Sequence, residues 1–436
     1  MANTLHRVVV VGGGAAGLEL ATRLGDKLGK RKQAEITLVD RSRTHLWKPL
    51  LHSVAAGSLD RALHEVNYLA QAHWHGFGYR HGAMIGLDRP ARTISLDATV
   101  DEEGRVVSPP RTLGYDTLVI AVGSVTNDFA TPGAAEFAVP LETPEQATRF
   151  NRRLLNACLR AQNQEGPIEP GQLHVAIIGA GATVTELAAE LHRTVRAVVA
   201  YGLDRIMPER DIKLILIEAA PRILPALPER ISEATEKLLH DLHIEVRTNA
   251  RVSEVLADGV RLASGEFIPA ELVVWSAGVK APSFLADVGG LETTRSNQLV
   301  VRPTLQTTRD DDVFAIGDCA AVPRPGSPQP VPPRAQAAHQ EASFMVKQIE
   351  ARLADKPLGE FVYRDFGSLV SLGKYSTVGN LMGFLVGRNL FVEGLFARAM
   401  YRSLYKMHEA ALHGGRRVLL RPFAAGVRPS PTVKLH

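Results

Sequence analysis

The chain has 436 residues, 45% of them hydrophobic and 22% charged, with 50 basic against 46 acidic side chains and a net charge of +4. That length allows two or three domains with buried cores, and that balance points to no nucleic-acid partner. Two cysteines, Cys158 and Cys319, exclude a disulfide framework, give no metal-site spacing and fit a reducing compartment. No run of about 18 uncharged apolar residues occurs, so the sequence reads as neither led out of the cell by an N-terminal signal nor membrane-spanning.

The stretch VVVVGGGAAGLELATRL, residues 8–24, organises the rest. Val8 to Val11 predict a parallel strand buried on both faces, because no polar residue alternates with them. Gly12, Gly14 and Gly17 follow at GxGxxG spacing, which suits a tight turn, close approach of the backbone to a pyrophosphate, and packing of a helix on the strand. The turn should open a helix from Ala15 to Lys27. Next, EITLVD reads as a second strand ending in Asp40, whose carboxylate can accept from both hydroxyls of a ribose. Gly12, Gly14, Ala16, Gly17, Asp40 and Arg41 are therefore the first set of dinucleotide contacts. A glycine-rich turn without a ligand is the plain alternative, and the order strand, glycines, helix, strand, acid favours the dinucleotide. Residues Tyr79 to Ile94 read as strand and hairpin, and GYDTLVIAVGS brings a further buried strand back to the same edge at Gly123.

After a Gln, Glu and Pro-rich boundary from Ala161 to Gln172, HVAIIGAGATVTELAAEL repeats the opening motif. Gly179, Gly181 and Thr183 stand at the second turn, and KLILIE supplies another strand ending in an acid, Glu218. A second nucleotide is implied. Glu218 would repel a 2′-phosphate, which favours NADH over NADPH, although Arg222 stands nearby. Val184 replaces the third glycine, and its branched Cβ predicts a wider helix–strand separation and a looser site. LVVWSAGV, Leu272 to Val279, repeats the earlier strand and places Gly278 where Gly123 stood. A strand ending in Gly317 and Asp318 follows, then a helix started by Pro332 and Pro333. The fold class predicted is α/β, with two Rossmann-like dinucleotide-binding domains.

The two glycine motifs, AIGDCA and AQAAHQ resemble the two-dinucleotide-binding-domain flavoproteins. Within them THLWKPLLHSVAAG, ILPALPERIS, TLQTTRD, PPRAQAAHQ, GSLVSLG and SLYKMHEAALHG resemble the bacterial type II NADH:quinone oxidoreductases, over nearly the whole chain. The resemblance implies an FAD domain in residues 1–165 and 296–350, an NADH domain in 172–295, and a membrane-docking C-terminal region in 351–436. It implies hydride transfer from NADH to FAD, then two-electron reduction of a quinone. Lys48 and Ala83 join the FAD contacts, with Ala83 touching adenine through its backbone and Asp318 bonding the ribityl chain. Gln336 and Gln340 lie four apart on one helix face, with His339 off it, and the family uses such a pair to line the quinone site. Spacing alone favours a solvated or core-satisfying Gln pair over a ligand site, and the resemblance reverses that preference. Glu186, one turn into the second helix, is a candidate for positioning nicotinamide or supplying a proton to the quinone; its bland alternative is a surface acid complementing the helix dipole.

In disulfide reductases of this fold the stretch equivalent to Arg41–Gly57 carries a CxxxxC pair, and here it holds no cysteine, so thiol chemistry is not expected. The rival readings are a sulfide:quinone oxidoreductase, which needs cysteines beside the flavin, and a flavin-bearing sensor without turnover.

A long-tailed quinone resides in a bilayer, so the chain should dock from the side. On a helix over Glu393 to Leu412, Phe396, Ala399, Met400, Leu404, Met407 and Ala411 share one arc, with Arg398, Arg402 and Lys406 opposite. Arg416, Arg417, Arg421, Arg428 and Lys434 follow. Such a tail favours an anionic membrane surface, as a peripheral protein on the cytoplasmic face of the inner membrane. The alternative is that the apolar arc packs on the body of the protein or on a second copy, giving a homodimer.

Overall fold

The computed structural model describes residues 5–366, 368–371, 377–382, 389–393 and 412. The first unit comprises β1 (His6–Val11), α1 (Ala15–Leu24), β2 (Ala34–Asp40), α2 (Leu51–Ala55), whose Leu51, Val54 and Ala55 pack into the core of the second unit, α3 (Tyr68–His75), β3 (Gly78–His81) and β4 (Thr117–Ile120). The second comprises β5 (Ala138–Pro140), α4 (Pro144–Asn163), β6 (His174–Ile178), α5 (Ala182–Val199), β7 (Lys213–Ile217), β8 (Glu245–Arg247) and β9 (Leu272–Trp275). The chain then returns through β10 (Gln306–Thr307), β11 (Asp310–Ala315) and α6 (Ala335–Leu353).

The six strands of the first sheet run in the order β10-β11-β4-β1-β2-β3, and the five of the second run β5-β9-β6-β7-β8. All neighbours are parallel except β10 against β11. In each sheet the glycine-bearing strand, β1 or β6, lies between the acid-bearing strand and a later strand returning to the same edge. Val8 to Val11 and the β6 run Val175 to Ile178 are buried, as expected of strands covered on both faces.

Two boundaries differ from the sequence expectation. β5 pairs with β9, and α4 buries Phe150, Leu154 and Ala157 in the second core, so residues from about Ala138 belong to the second unit rather than to a first unit ending at 165. The Gln-rich boundary overlaps only the last residues of α4, a helix begun by a capping box of Thr143 and Gln146 with Pro144 in its first turn. In the other direction Ala281, Leu285 and Leu291 pack into the first core, so the return begins before residue 296.

Helix α1 also ends earlier than Lys27, passing into a π-helical turn over Gly25–Gly29. A Cβ on Gly25 would stand 2.3 Å from the His75 carbonyl oxygen and one on Gly29 would stand 2.0 Å from that of Gly76, so this turn lets the end of α3 lie against it. Pro332 and Pro333 precede α6, whose N-cap is Arg334. Beyond α6, β12 (Ser368–Ser371), β13 (Thr377–Met382) and β14 (Asn389–Glu393) form an antiparallel sheet. Glu393 therefore closes a strand, Leu412 is helical, and the rest of the expected amphipathic helix, with the basic tail, lies outside the described residues.

Candidate functional site

Both glycine turns sit at the C-terminal edge of a parallel sheet, where open α/β folds bind ligands. Gly12 has φ +102°, and a Cβ there would lie 2.4 Å from the Ala121 carbonyl oxygen. A Cβ on Gly17 would lie 1.9 Å from the Gly12 carbonyl oxygen. The chain itself requires these two glycines. Gly14 differs, since a Cβ there would meet nothing within 4 Å, and it caps α1 with no side-chain bond and no acid in the first turn. The start of α1 thus keeps amide N–H groups and positive dipole for an anionic group such as a pyrophosphate.

The second turn repeats these features. Gly179 has φ +96° and faces Ser276 and Ala277, as Gly12 faces Ala121 and Val122, while Gly181 is open and caps α5 with no side-chain bond. Asp40 accepts from the Gly13 and Ser42 amides, each at 2.6 Å. Glu218 accepts from the Ala180 amide at 2.7 Å and from the Ala220 amide at 2.8 Å. Burial pushes the Asp40 carboxyl up from its ordinary range, against the pull of those two amides. Gly123 and Gly278, both at φ +69°, lie just past the ends of the returning strands, and the residues after them, Val125–Thr126 and Val279–Lys280, pair antiparallel and join the two units. Val184, expected to hold helix and strand apart, is buried in the second core. Ala16 is buried and Thr183 half-buried on the first turns of the two helices.

Around the first turn, the Tyr68 hydroxyl donates to the Gly13 carbonyl at 2.7 Å, a contact the sequence did not signal. Exposed Lys48 donates to the Ser124 carbonyl at 3.0 Å, and Ser124 Oγ donates to Asp318 Oδ2 at 2.7 Å. Arg41 is exposed, with its carbonyl 2.9 Å from His81 Nε2. The Ala83 carbonyl accepts from the Asp97 amide, just past β3. Behind Asp318, the Gly317 amide donates to buried Glu341, whose carboxyl burial pushes up to about 8. A cavity of about 260 Å³ lies where the units meet, lined by Ser124, Gln298 and Asp318 of the first and by Val279 and Lys280 of the connection from the second.

Glu186 is not the surface acid of the bland alternative. It is buried on α5, with Oε2 3.5 Å from Nδ1 of His52, a residue of α2 in the segment from Arg41 to Gly57. Gln336 and Gln340 do share a face of α6, and both amides grip one neighbouring segment. Gln336 accepts from the Phe366 amide at 3.1 Å, while Gln340 accepts from the Arg364 amide at 3.0 Å and donates to the Arg364 carbonyl at 2.8 Å. His339, off that face, pairs with buried Glu19 of α1. Burial pushes the Cys158 thiol up to about 11 and the Cys319 thiol up to about 12, so neither is a thiolate at neutral pH. Among the described residues no three His, Cys, Asp or Glu side chains gather as a metal site.

The pyridine nucleotide-disulphide oxidoreductase family model matches residues 6–342. A type II NADH:quinone oxidoreductase of Haemophilus influenzae is 42% identical over 94% of this chain and 95% of its own length. The chain belongs to the type II NADH:quinone oxidoreductases. The NDH2 of Plasmodium falciparum, solved in complex with NADH, shares the fold of this family member with a TM-score of 0.79 at 18% identity, covering 98% of this chain and all (100%) of that one. The sulfide:quinone oxidoreductase of Aquifex aeolicus shares the fold too, with a TM-score of 0.73 at 18% identity over 96% and 95% of the two chains. Likeness at that identity reaches the architecture alone, and the two inert thiols set this chain apart from the cysteine chemistry considered for that rival.

Proposed function

We propose that this chain oxidises NADH at one glycine turn and reduces a membrane quinone by two electrons through FAD held at the other. The observation that carries the reading is the duplicated turn: two open glycines, each starting an uncapped helix and each backed by a half-buried acid. Gly12, Gly14, Gly17 and Asp40 would hold the adenosine and pyrophosphate of FAD, and Asp318, oriented by Ser124, would bond its ribityl chain. Gly179, Gly181, Glu218 and Gly278 would hold NADH. Bound FAD supplies a two-electron carrier, taking a hydride and later giving up both electrons. The protein orients the partners, keeps water from the junction, and leaves α6 with its positive end toward the first site.

Gln336 and Gln340 shape the quinone side, with their amides fixing the segment Arg364–Phe366 that would border it. Docking is peripheral, through the C-terminal basic tail, on the cytoplasmic face of the membrane; no helix among the described residues is long and apolar enough to cross a bilayer. A homodimer closed through the same apolar arc is the competing use of that region.

Stopped-flow absorbance tests the reading. NADH should bleach the flavin, and a soluble quinone analogue should restore its colour. Gln336→Leu and Gln340→Leu should slow the second step and leave the first near normal. A flavin that NADH does not bleach would favour the sensor instead.

A further inference from the structure

The connection from the first unit to the second passes through two consecutive residues in the left-handed region, Phe129 at φ +52° and Ala130 at φ +54°. Residues other than glycine rarely adopt it. Such a backbone persists only where its surroundings over-determine it, and these positions gather at ligand-binding sites. Here the surroundings are plain. The Phe129 amide donates to Asn127 Oδ1 at 3.0 Å and the Ala130 amide to Asp128 Oδ1 at 3.3 Å, with Lys280 Nζ 3.2 Å from that same Asp128 oxygen. From the second unit, Trp275 Nε1 donates to the Asn127 carbonyl at 2.9 Å and the Val255 amide to the Pro132 carbonyl at 2.9 Å. What these bonds hold in place is a phenyl ring that is 60% exposed.

That ring lies beside the second glycine turn. A Cβ on Gly278 would stand 2.8 Å from Phe129 Cζ, so the ring rests on a residue with no side chain to displace it. Two residues earlier the same backbone closes on the turn itself, since a Cβ on Gly179 would stand 2.9 Å from the Ser276 carbonyl oxygen and 3.0 Å from the Ala277 nitrogen. Because β6 lies between β7 and β9, the turn has Glu218, just past β7, on one side and Gly278 with Phe129 on the other. A dinucleotide with its pyrophosphate at the start of α5 and its adenosine ribose at Glu218 must carry its other nucleoside toward Gly278. The flavin side is the same one: Val279 and Lys280 line the cavity of about 260 Å³ together with Asp318. The geometry points to Phe129 as a substrate-positioning residue, an aromatic platform on which the nicotinamide nucleoside of NADH rests while it faces the flavin. The inference rests on the NADH reading above and adds the surface that fixes the reacting half of the nucleotide. A flat nicotinamide stacks on an aromatic ring, and a ring already held by its loop loses little freedom when the ligand arrives.

The test is Phe129→Ala in the holoenzyme, whose first site is filled by FAD, titrated calorimetrically with NAD⁺ and with ADP. ADP keeps the adenosine and pyrophosphate but lacks the nicotinamide nucleoside. The dissociation constant for NAD⁺ should rise by about threefold to tenfold, the range of one aromatic stacking contact, while that for ADP and the melting temperature match the parent. The NADH concentration that half-saturates flavin bleaching should rise by the same factor. Phe129→Tyr keeps the ring and should keep the affinity for NAD⁺. Should Phe129→Ala fail to fold, Phe129→Leu, apolar but without an aromatic face, should show the same selective loss. Parental affinity for NAD⁺ in the variants without a ring, or an equal loss of NAD⁺ and ADP as from a merely structural loop, overturns the inference. A parent holoenzyme that binds neither nucleotide would instead overturn the NADH reading beneath it, and the platform with it.

Discussion

Asp40 and Glu218 do the same work in the two halves: each accepts from the amide in the middle of its glycine turn and from the amide two residues beyond itself. Each carboxylate is thereby fixed at the sheet edge, with lone pairs remaining for ribose hydroxyls.

Cofactor choice follows from Glu218 and from the place of Arg222. The Arg222 guanidinium donates to the Leu227 carbonyl at 2.8 Å, the Ser232 hydroxyl at 2.6 Å and the Pro225 carbonyl at 3.0 Å. Committed to that loop, it does not offset the repulsion between Glu218 and a 2′-phosphate. NADH should therefore be preferred over NADPH by at least about tenfold in kcat/KM, the equivalent of one charged hydrogen bond. Glu218→Gln should narrow the ratio, chiefly through a higher KM for NADH. Equal kcat/KM for the two nucleotides in the parent enzyme would rule this out.

The glycines separate folding from cofactor binding. Gly17→Ala drives a Cβ to 1.9 Å from backbone, whereas Gly14→Ala puts one into open space. Gly14→Ala should melt like the parent without cofactor yet retain less FAD after gel filtration, because the methyl group obstructs the approach of a pyrophosphate. Gly17→Ala should lower the melting temperature of the apoprotein itself. If Gly14→Ala retains FAD fully, that open face is not the phosphate site.

The turns, the acids and the return of a later strand to the same edge were legible because each is a local pattern repeated in a second copy. The Gln336 and Gln340 spacing correctly gave a common helix face but could not reveal the segment at Arg364–Phe366 that they hold. His52 against Glu186, Tyr68 against Gly13, and Glu341 against Gly317 were not legible, since each joins residues that only the tertiary fold brings together. The domain boundary was misplaced for a related reason. A Gln-rich stretch reads as a linker, while β5 and α4 join the second sheet through pairings and apolar contacts that composition does not encode.

Glu341 makes stability depend on pH. In an unfolded chain its carboxyl titrates near 4.5, whereas burial in the folded protein raises it to about 8. Between these values the folded state keeps a proton that the unfolded state has lost, so stability falls as pH rises, by at most about 1.4 kcal/mol per pH unit. Below the lower value both states are protonated and the penalty vanishes. Glu341→Gln keeps an acceptor for the Gly317 amide without an ionisable group. Its melting temperature should decline less than that of the parent between about pH 5 and pH 8, and it should be the more stable of the two at the upper end. Parallel melting curves would show that Glu341 is not the group responsible.

The last prediction concerns where the C-terminal region is attached and what its end does. Buried Gln71 of α3 donates to the Leu412 carbonyl at 2.7 Å and to Thr22 Oγ1 of α1 at 3.2 Å, and Leu412 is itself buried in the first core. A chain cut after His413 keeps this tie but loses Arg416, Arg417, Arg421, Arg428 and Lys434. Each basic residue near an anionic bilayer contributes about 1 kcal/mol of attraction, so loss of the tail should weaken binding to anionic liposomes by far more than tenfold. Melting temperature and NADH oxidation with a soluble quinone analogue should be unchanged. A cut after Phe366 removes Leu412 as well, leaving the Gln71 amide one acceptor short and part of the first core uncovered, and should lower stability by at least about 1–3 kcal/mol. Undiminished liposome binding after the first cut would refute the tail as the membrane contact and turn attention to α3, where Leu69 and Trp74 are 65% and 61% exposed. Trp→Ala and Leu→Ala changes there would then be the ones to release the protein.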